Sequence, residues 1–302
     1  MPSHVTRIGG DVVAQLKATQ TRLDTRMREL DRPSVGLALG SGAARGLAHI
    51  GVLKSLLANA VPIDIITGCS MGAVIGGCFA AGVEPAELEE IARSINRREV
   101  FRQIDLVVPS RGGLISGARV SELLRELTSG KSFDELRFPF ACTAADVLTG
   151  EEVVLEDGLV SDAIRCSSSI PGVFQPVVVG HRVLVDGGIL NPIPANYLVA
   201  MGVDVVIAVD VMPVLAPSES QLGKAPSIIA TLINSFDIMG RIVSEPTQDI
   251  ASVVISPQVG KVFGAEFWRG SELIEEGWKA AEAAIPHIMG AIRSHDGQSP
   301  IR

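Results

Sequence analysis

The chain has 302 residues, 47% of them hydrophobic and 20% charged, with a formal net charge of −8. That length carries one large domain or two small ones with an ample core, and the acidic balance argues against nucleic acid as a partner and against a general attraction to anionic membranes. Cys69, Cys78, Cys142 and Cys166 form no C-x-x-C pair, no run of about 18 apolar residues occurs, and the N-terminus has no apolar core; a disulfide framework, a transmembrane helix and a signal peptide are therefore not expected, and a reduced cytoplasmic setting is.

In chain order, residues 10–31 come first. Val12, Val13, Leu16, Leu23, Met27 and Leu30 recur at helical spacing with charged residues between them, and Pro33 ends the run. This predicts a helix packed on the domain, with a partner or membrane contact, self-association through residues 10–31 included, as the second reading. Ser34 to Leu39 is a buried strand. It runs into Gly40-Ser41-Gly42-Ala43-Ala44-Arg45-Gly46 and then a helix carrying Leu47, Ile50, Leu53, Leu56 and Leu57. Strand, glycine-rich loop and helix make an anion cradle from free backbone N–H groups. A dinucleotide site does not fit the spacing, a P-loop lacks its Gly-Lys-Ser/Thr, and an oxyanion hole is the third reading. The loop alone does not choose.

A second strand, from Ile63, ends in Gly68-Cys69-Ser70-Met71-Gly72. This is the G-x-S-x-G form of a nucleophile elbow, in which a sharp strand-to-helix turn presents an exposed serine hydroxyl. In a chain this rich in glycine the pattern arises by chance about one time in five, so an ordinary turn is a serious rival. The helix from Met71 to Ala81 and another opened by Pro85 follow. Residues 109–117 read as a long loop and Val120 to Leu127 as a helix. Phe138–Val147 and Glu151–Leu155 are strands joined at Thr149-Gly150, and Leu159–Cys166 is a helix broken by Ser167-Ser168-Ser169-Ile170-Pro171-Gly172. A hairpin turns at Gly180-His181 and ends in Asp186-Gly187-Gly188. Asp204–Val211 is a strong strand, 213–224 a mobile loop, Ser227–Val243 a helix, Val253–Ile255 a last strand and Ser271–Ile292 a closing helix. In the helix 227–243 the apolar stripe is read as Ile228, Thr231, Leu232, Ser235, Ile238, Met239 and Ile242, packed on the core or bordering an acyl pocket. Alternating strands and helices imply an α/β fold with a largely parallel sheet covered on both faces.

Three elements now line up: the loop 40–46, Ser70 on its elbow, and Asp186-Gly187-Gly188 after the hairpin. With Arg45-Gly46-Leu47-Ala48-His49-Ile50-Gly51-Val52-Leu53, Gly68-Cys69-Ser70-Met71-Gly72-Ala73, Ser169-Ile170-Pro171-Gly172-Val173-Phe174 and Val185-Asp186-Gly187-Gly188 in this order, the chain resembles the patatin-like phospholipase family, in particular its short bacterial members, over roughly residues 34–294. That resemblance implies a three-layer α/β/α sandwich and a serine–aspartate dyad that works without histidine. Ser70 would be the nucleophile and Asp186 its base. Gly42, Ala43 and Ala44 would give the oxyanion hole, although the family usually has glycine where this chain has Ser41 and Ala43. Arg45 would anchor the loop or meet a phosphate, and Gly40, Gly46, Gly68, Gly72, Gly187 and Gly188 would be the elbow and motif glycines. No metal or organic cofactor is implied.

The expected organisation is an N-terminal helical segment over 1–33, a catalytic domain over 34–294 and a tail over 295–302. An ordinary aspartate, with a pKa near 4, is a poor base at neutral pH; the apolar Val183-Leu184-Val185 before Asp186 predicts burial that raises it. The expected activity is hydrolysis of lipid carboxyl esters, phospholipid or lysophospholipid, at a membrane or micelle surface reached from the cytoplasm. Two rivals stand beside it. One is a regulatory or binding protein that kept the fold. The other is a Ser-His-Asp α/β-hydrolase, for which His181, His287 and His295 are the histidines well after Ser70.

Overall fold

The computed structural model describes residues 17–98, 105, 112–212, 225–245 and 247–296. The first part of the predicted N-terminal helix, including Val12, Val13 and Leu16, and the predicted loop 213–224 lie outside the described residues.

In chain order the elements are α1 (Lys17–Met27), β1 (Val35–Leu39), a 3-10 turn (Ala43–Leu47) running into α2 (Ala48–Ala58), β2 (Ile65–Cys69), α3 (Met71–Ala81) and α4 (Pro85–Ser94). Next come β3 (Gly113–Ile115), α5 (Ala118–Leu127), β4 (Phe140–Asp146), β5 (Glu152–Leu155), α6 (Val160–Ser167), β6 (Gly172–Phe174), β7 (Val177–Val179) and β8 (Arg182–Asp186). The last group is α7 (Ala195–Ala200), β9 (Val205–Val209), α8 (Ile228–Ser244), α9 (Thr247–Ile250), β10 (Val253–Ile255) and α10 (Gly270–Asp296).

The main sheet has the order β10-β9-β1-β2-β4-β8-β7, and β5 also pairs with β4. From β10 to β4 every pairing is parallel, whereas β5, β8 and β7 join antiparallel. The pleat divides the apolar residues between two cores. Val35, Leu37 and Leu39 of β1 and Val205, Ile207 and Val209 of β9 face α2, α3 and α10. Ala38, Val206 and Ala208 face α1 and α7 on the opposite side. Strands buried on both faces read as continuous apolar runs, which is why β1 and β9 show no alternation in sequence. The result is a three-layer α/β/α sandwich around a largely parallel sheet.

Two details fix the layers. Helices α2 and α10 meet backbone to backbone: a Cβ on Gly51 would lie 1.9 Å from the Ile274 carbonyl oxygen, and one on Gly277 the same distance from that of Ala48. On the other face, Leu23 of α1 is fully buried in the second core. The Glu156 carboxylate accepts from the Ala18 and Thr19 N–H groups at 3.1 and 2.8 Å, covering donors that the first turn of a helix leaves open. Behind α1, Arg32 makes a bidentate pair with the buried Asp64, at 2.7 and 2.8 Å. Burial alone would raise the Asp64 pKa, but the Arg32 bonds, the Val35 N–H and Arg26 together hold it below the usual carboxylate range.

Two elements differ from the sequence expectation. Part of the predicted loop 109–117 is the strand β3, which pairs with β6; three residues are too few for an alternation to be visible. The expected stripe of α8 faces outward. Ile228, Ile238, Met239 and Ile242 are exposed, and the buried side is Ile233, Phe236, Asp237 and Ser244. Both sides of α8 are rich in apolar residues, so its period shows a helix without showing which side is covered.

Candidate active site

Strand β4 acts as the ruler of the site. Its residues 140–143 pair with β2, 142–145 with β5 and 144–146 with β8. Because β5 overlaps both of the others, β2 and β8 share the opposite edge of β4. They run in opposite directions along it and meet end to end: Cys69 is opposite Thr143, and Asp186 is opposite the next residue, Ala144. The residue after β2 is Ser70. Sheet register therefore brings together two groups 116 residues apart in sequence, and the Ser70 Oγ–H donates to Asp186 Oδ2 at 2.5 Å.

The elbow that aims Ser70 is strained and tightly enclosed. Ser70 has φ 54° and ψ −121°, a conformation that costs a residue with a Cβ about 1–3 kcal/mol and persists only where its surroundings impose it. Here the surroundings are close. A Cβ on Gly72 would lie 2.1 Å from the Leu39 carbonyl oxygen, and one on Gly68 would lie 2.8 Å from the Ala73 backbone. The turn that breaks α6 supports both members of the pair. Ser167 Oγ accepts the Ser70 N–H at 3.0 Å, and the Ser169 carbonyl accepts the Asp186 N–H at 2.9 Å. Arg165, also buried, reaches the Ser169 hydroxyl and the carbonyls of Ser116 and Gln175.

The serine hydroxyl predicted to be exposed is covered: Ser70 is 3% exposed and Asp186 0%. Phe236 of α8 lies against Gly188, with the Ser41 hydroxyl beside it. That enclosure sets the electrostatics. Desolvation pushes the Asp186 carboxyl up to about 7, against the opposing hydrogen bonds from Ser70, the Gly188 N–H and the Cys69 thiol. A carboxyl in this range can hold or release a proton at neutral pH.

The glycine-rich loop lies against the elbow. A Cβ on Gly46 would lie 2.5 Å from Met71 Cβ, and one on Gly40 would lie 2.7 Å from the Val209 carbonyl oxygen. His49, fully buried, donates from Nε2 to the Gly40 carbonyl at 2.7 Å; desolvation lowers its pKa to about 4, which keeps the ring neutral. Ala43 takes φ 49°. Of the three expected oxyanion donors, the Ala44 N–H is engaged by the Gly264 carbonyl at 2.9 Å, which leaves Gly42 and Ala43. Their N–H groups have no hydrogen-bond partner among the described residues. Gly187, in the turn after β8, packs against β4: a Cβ there would come within 2.6 Å of the Thr143 carbonyl oxygen. Arg45 is 2% exposed and turned inward, donating to Asp237 at 2.5 Å and to the Val262 carbonyl at 3.1 Å. Its surroundings are those of a loop anchor.

The three later histidines lie elsewhere. His181 is at the far end of β8 from Asp186, about 16 Å away at the usual strand rise. His295 bonds the Ala291 carbonyl in α10. His287 lines a groove of about 620 Å³ between β10 and α10, and β10 is three places from β2 in the sheet. The residues lining that groove include no hydrogen-bonded serine–acid pair. No group of three or more His, Cys, Asp or Glu among the described residues is placed to hold a metal. Ser167, Ser169 and His49 were read from sequence only as parts of a helix break or a family motif, with no role, and Asp237 was not singled out. The serine triplet and the lone acid in an apolar helix were the available signals.

The family model of the patatin-like phospholipases matches residues 37–199, which hold the loop, the elbow and the Asp-Gly-Gly turn. The chain belongs to the patatin-like phospholipase family. An uncharacterised NTE family protein of Mycobacterium bovis is 39% identical over 184 residues, 61% of this chain and 51% of that protein. The lysophospholipase NTE1 of Candida albicans is 30% identical over 213 residues, 70% of this chain and 15% of that protein. The chain thus spans about half the length of the mycobacterial relative and a small part of the fungal one. Among solved structures, VipD from Legionella pneumophila is similar with a TM-score of 0.47 at 12% identity, covering 88% of this chain and 67% of that one.

Proposed function

We propose that this patatin-like chain is a serine acyl hydrolase of lipid carboxyl esters, phospholipid or lysophospholipid, working through Ser70 and Asp186. The observation that carries this reading is the 2.5 Å bond from Ser70 Oγ to a buried carboxylate held up at about 7. As Ser70 Oγ bonds to the ester carbonyl carbon, its proton passes to Asp186 Oδ2. The oxyanion is received by the N–H groups of Gly42 and Ala43, each such donor being worth about 10²–10³ in rate in other enzymes. Collapse of the tetrahedral species breaks the bond to the leaving alcohol, which takes the proton from Asp186. Water then gives its proton to Asp186 and attacks the acyl-serine, and the returning proton frees Ser70. Family membership and the name of the fungal relative support the lipid ester as substrate.

No helix among the described residues is long and apolar enough to cross a membrane, and contact with lipid is proposed to be peripheral, from the cytoplasmic side. The remote positions of His181, His287 and His295 weigh against a Ser-His-Asp triad. The hydrogen-bonded Ser70–Asp186 pair weighs against a binding protein without catalysis. A panel of phospholipids, lysophospholipids, acylglycerols and acyl-thioesters, run beside a serine-directed fluorophosphonate probe, tests the reading. Labelling at Ser70 with turnover of a lipid ester is expected; a folded protein that neither reacts with the probe nor turns over any ester would refute it.

A further inference from the structure

The site has a second buried pair. Asp237 of α8 is 3% exposed on the inner side of a helix otherwise lined there by Ile233, Phe236 and Gly240. Its Oδ1 accepts from Arg45 Nη2 at 2.5 Å, while Arg45 Nη1 donates to the Val262 carbonyl at 3.1 Å. The guanidinium is thus held at two points, 2% exposed, by groups 192 and 217 residues away in sequence. Desolvation raises the Asp237 pKa and the charge and hydrogen bond of Arg45 oppose that rise. A buried carboxylate is costly unless paired, so a plain apolar contact would have served better if packing were its sole role.

Arg45 follows the turn Gly42-Ala43-Ala44 directly. Ala43 has φ 49°, a left-handed conformation that a residue with a Cβ leaves unless it is held. The restraints lie on the α8 side. The Gly264 carbonyl takes the Ala44 N–H, and Ile233 Cγ2 lies 2.9 Å from where a Cβ on Gly264 would be. The residue before Asp237 is Phe236, which lies against Gly188. One turn of α8 therefore touches both the oxyanion loop and the turn that carries the base.

We propose that Asp237 is a positioning residue for acyl transfer: through Arg45 it holds the Gly42–Ala43 turn so that its N–H groups point at the developing oxyanion. This rests on the Ser70–Asp186 reading above. Without the carboxylate, the guanidinium keeps only the Val262 carbonyl, moves, and lets Ala43 relax to a negative φ that turns its N–H away. The loss is felt in the transition state, where the oxyanion exists, and little in ground-state binding. Complete loss of one oxyanion donor costs about 10²–10³ in kcat elsewhere, so a displaced donor should cost about 10- to 100-fold.

The test uses the full chain and two variants, Asp237→Asn and the neutral double variant Arg45→Gln with Asp237→Asn. Each is checked for folding by circular dichroism and assayed well below its melting temperature. Two quantities are read: kcat and KM on a soluble short-chain p-nitrophenyl ester, and the rate of Ser70 labelling by a fluorophosphonate, whose oxygen enters the same hole. The expected result is a fall of about 10- to 100-fold in kcat and in labelling rate in both variants, with KM within about threefold of the parent. A folded variant that labels and turns over within threefold of the parent would overturn the inference, as would failure of both variants to fold, since the pair would then serve the fold and not the loop. A parent that is not labelled at Ser70 would instead refute the hydrolase reading, which keeps the two failures apart.

Discussion

Replacing Asp186 with asparagine should change how stability depends on pH as well as remove the base. Burial holds this carboxyl up at about 7, against about 3.9 in an unfolded chain. A group whose folded pKa lies above its unfolded value binds more protons in the folded state across that interval. It therefore contributes stability at low pH that is lost as pH rises through about 7. Entering the two values in the linkage relation gives a loss on the order of 2–3 kcal/mol between pH 5 and pH 8. His49 acts in the opposite direction. Its pKa is pushed down to about 4 by desolvation, so stability falls as pH drops below the ordinary histidine value, by about 2 kcal/mol at pH 5. The two nearly cancel in the parent, and the difference between parent and variant isolates Asp186. Asparagine preserves the shape: its carbonyl can take the Gly188 N–H, and its amide can donate to Ser70 Oγ. Urea unfolding of both proteins at pH 5 and pH 8 measures the difference. Relative to the parent, Asp186→Asn should gain on the order of 2–3 kcal/mol on going from pH 5 to pH 8. A difference that is the same at both values would mean that the carboxyl titrates normally, and the dyad would lack a base suited to neutral pH.

The outer face of α8 gives a second prediction. Ile238 is 48% exposed, so Ile238→Asn should alter urea stability by less than about 1 kcal/mol, as exposed substitutions do. If this face meets lipid, the same change should lower hydrolysis of micellar long-chain esters more than that of soluble short-chain esters; equal loss on both, with a lower melting temperature, would return Ile238 to the core. The N-terminal segment gives a third. Deleting residues 1–32 removes Leu23 from the second core and leaves the buried Asp64 without Arg26 and Arg32. Breaking a buried pair costs about 3–5 kcal/mol, less here because Arg32 is a third exposed. The truncated protein should melt earlier and associate, as shown by calorimetry and gel filtration, and a monodisperse truncation of unchanged stability would refute this.

Much of the fold was legible because its signals are local. Continuous apolar runs marked β1 and β9, Thr149-Gly150 marked the β4–β5 turn, and Gly68 and Gly72 marked the elbow. Asp186 stood out through the family resemblance carried by Val185-Asp186-Gly187-Gly188, since an Asp-Gly pair alone reads equally as an ordinary turn. What escaped depends on distance in the chain. Ser167 meets Ser70 across 97 residues and Asp237 meets Arg45 across 192, and no periodicity records such meetings. The facing of α8 escaped because hydrophobicity ranks Ile238 above Asp237. Pairing with Arg45 reversed that order, bringing the acid in and leaving the isoleucine out. Burial of Ser70 also escaped, since an elbow motif describes the bend and not what later closes over it.

Turnover of a short-chain ester by single-site variants, each shown to be folded, tests the serine–aspartate dyad most directly. Ser70→Ala should abolish turnover, and Asp186→Asn should lose several orders of magnitude, as when a coupled catalytic pair is broken. Replacing His181, His287 and His295 one at a time should change the rate by no more than about tenfold, the equivalent of about 1.4 kcal/mol. A folded histidine variant as inactive as Ser70→Ala would contradict the dyad and restore a serine–histidine–acid triad.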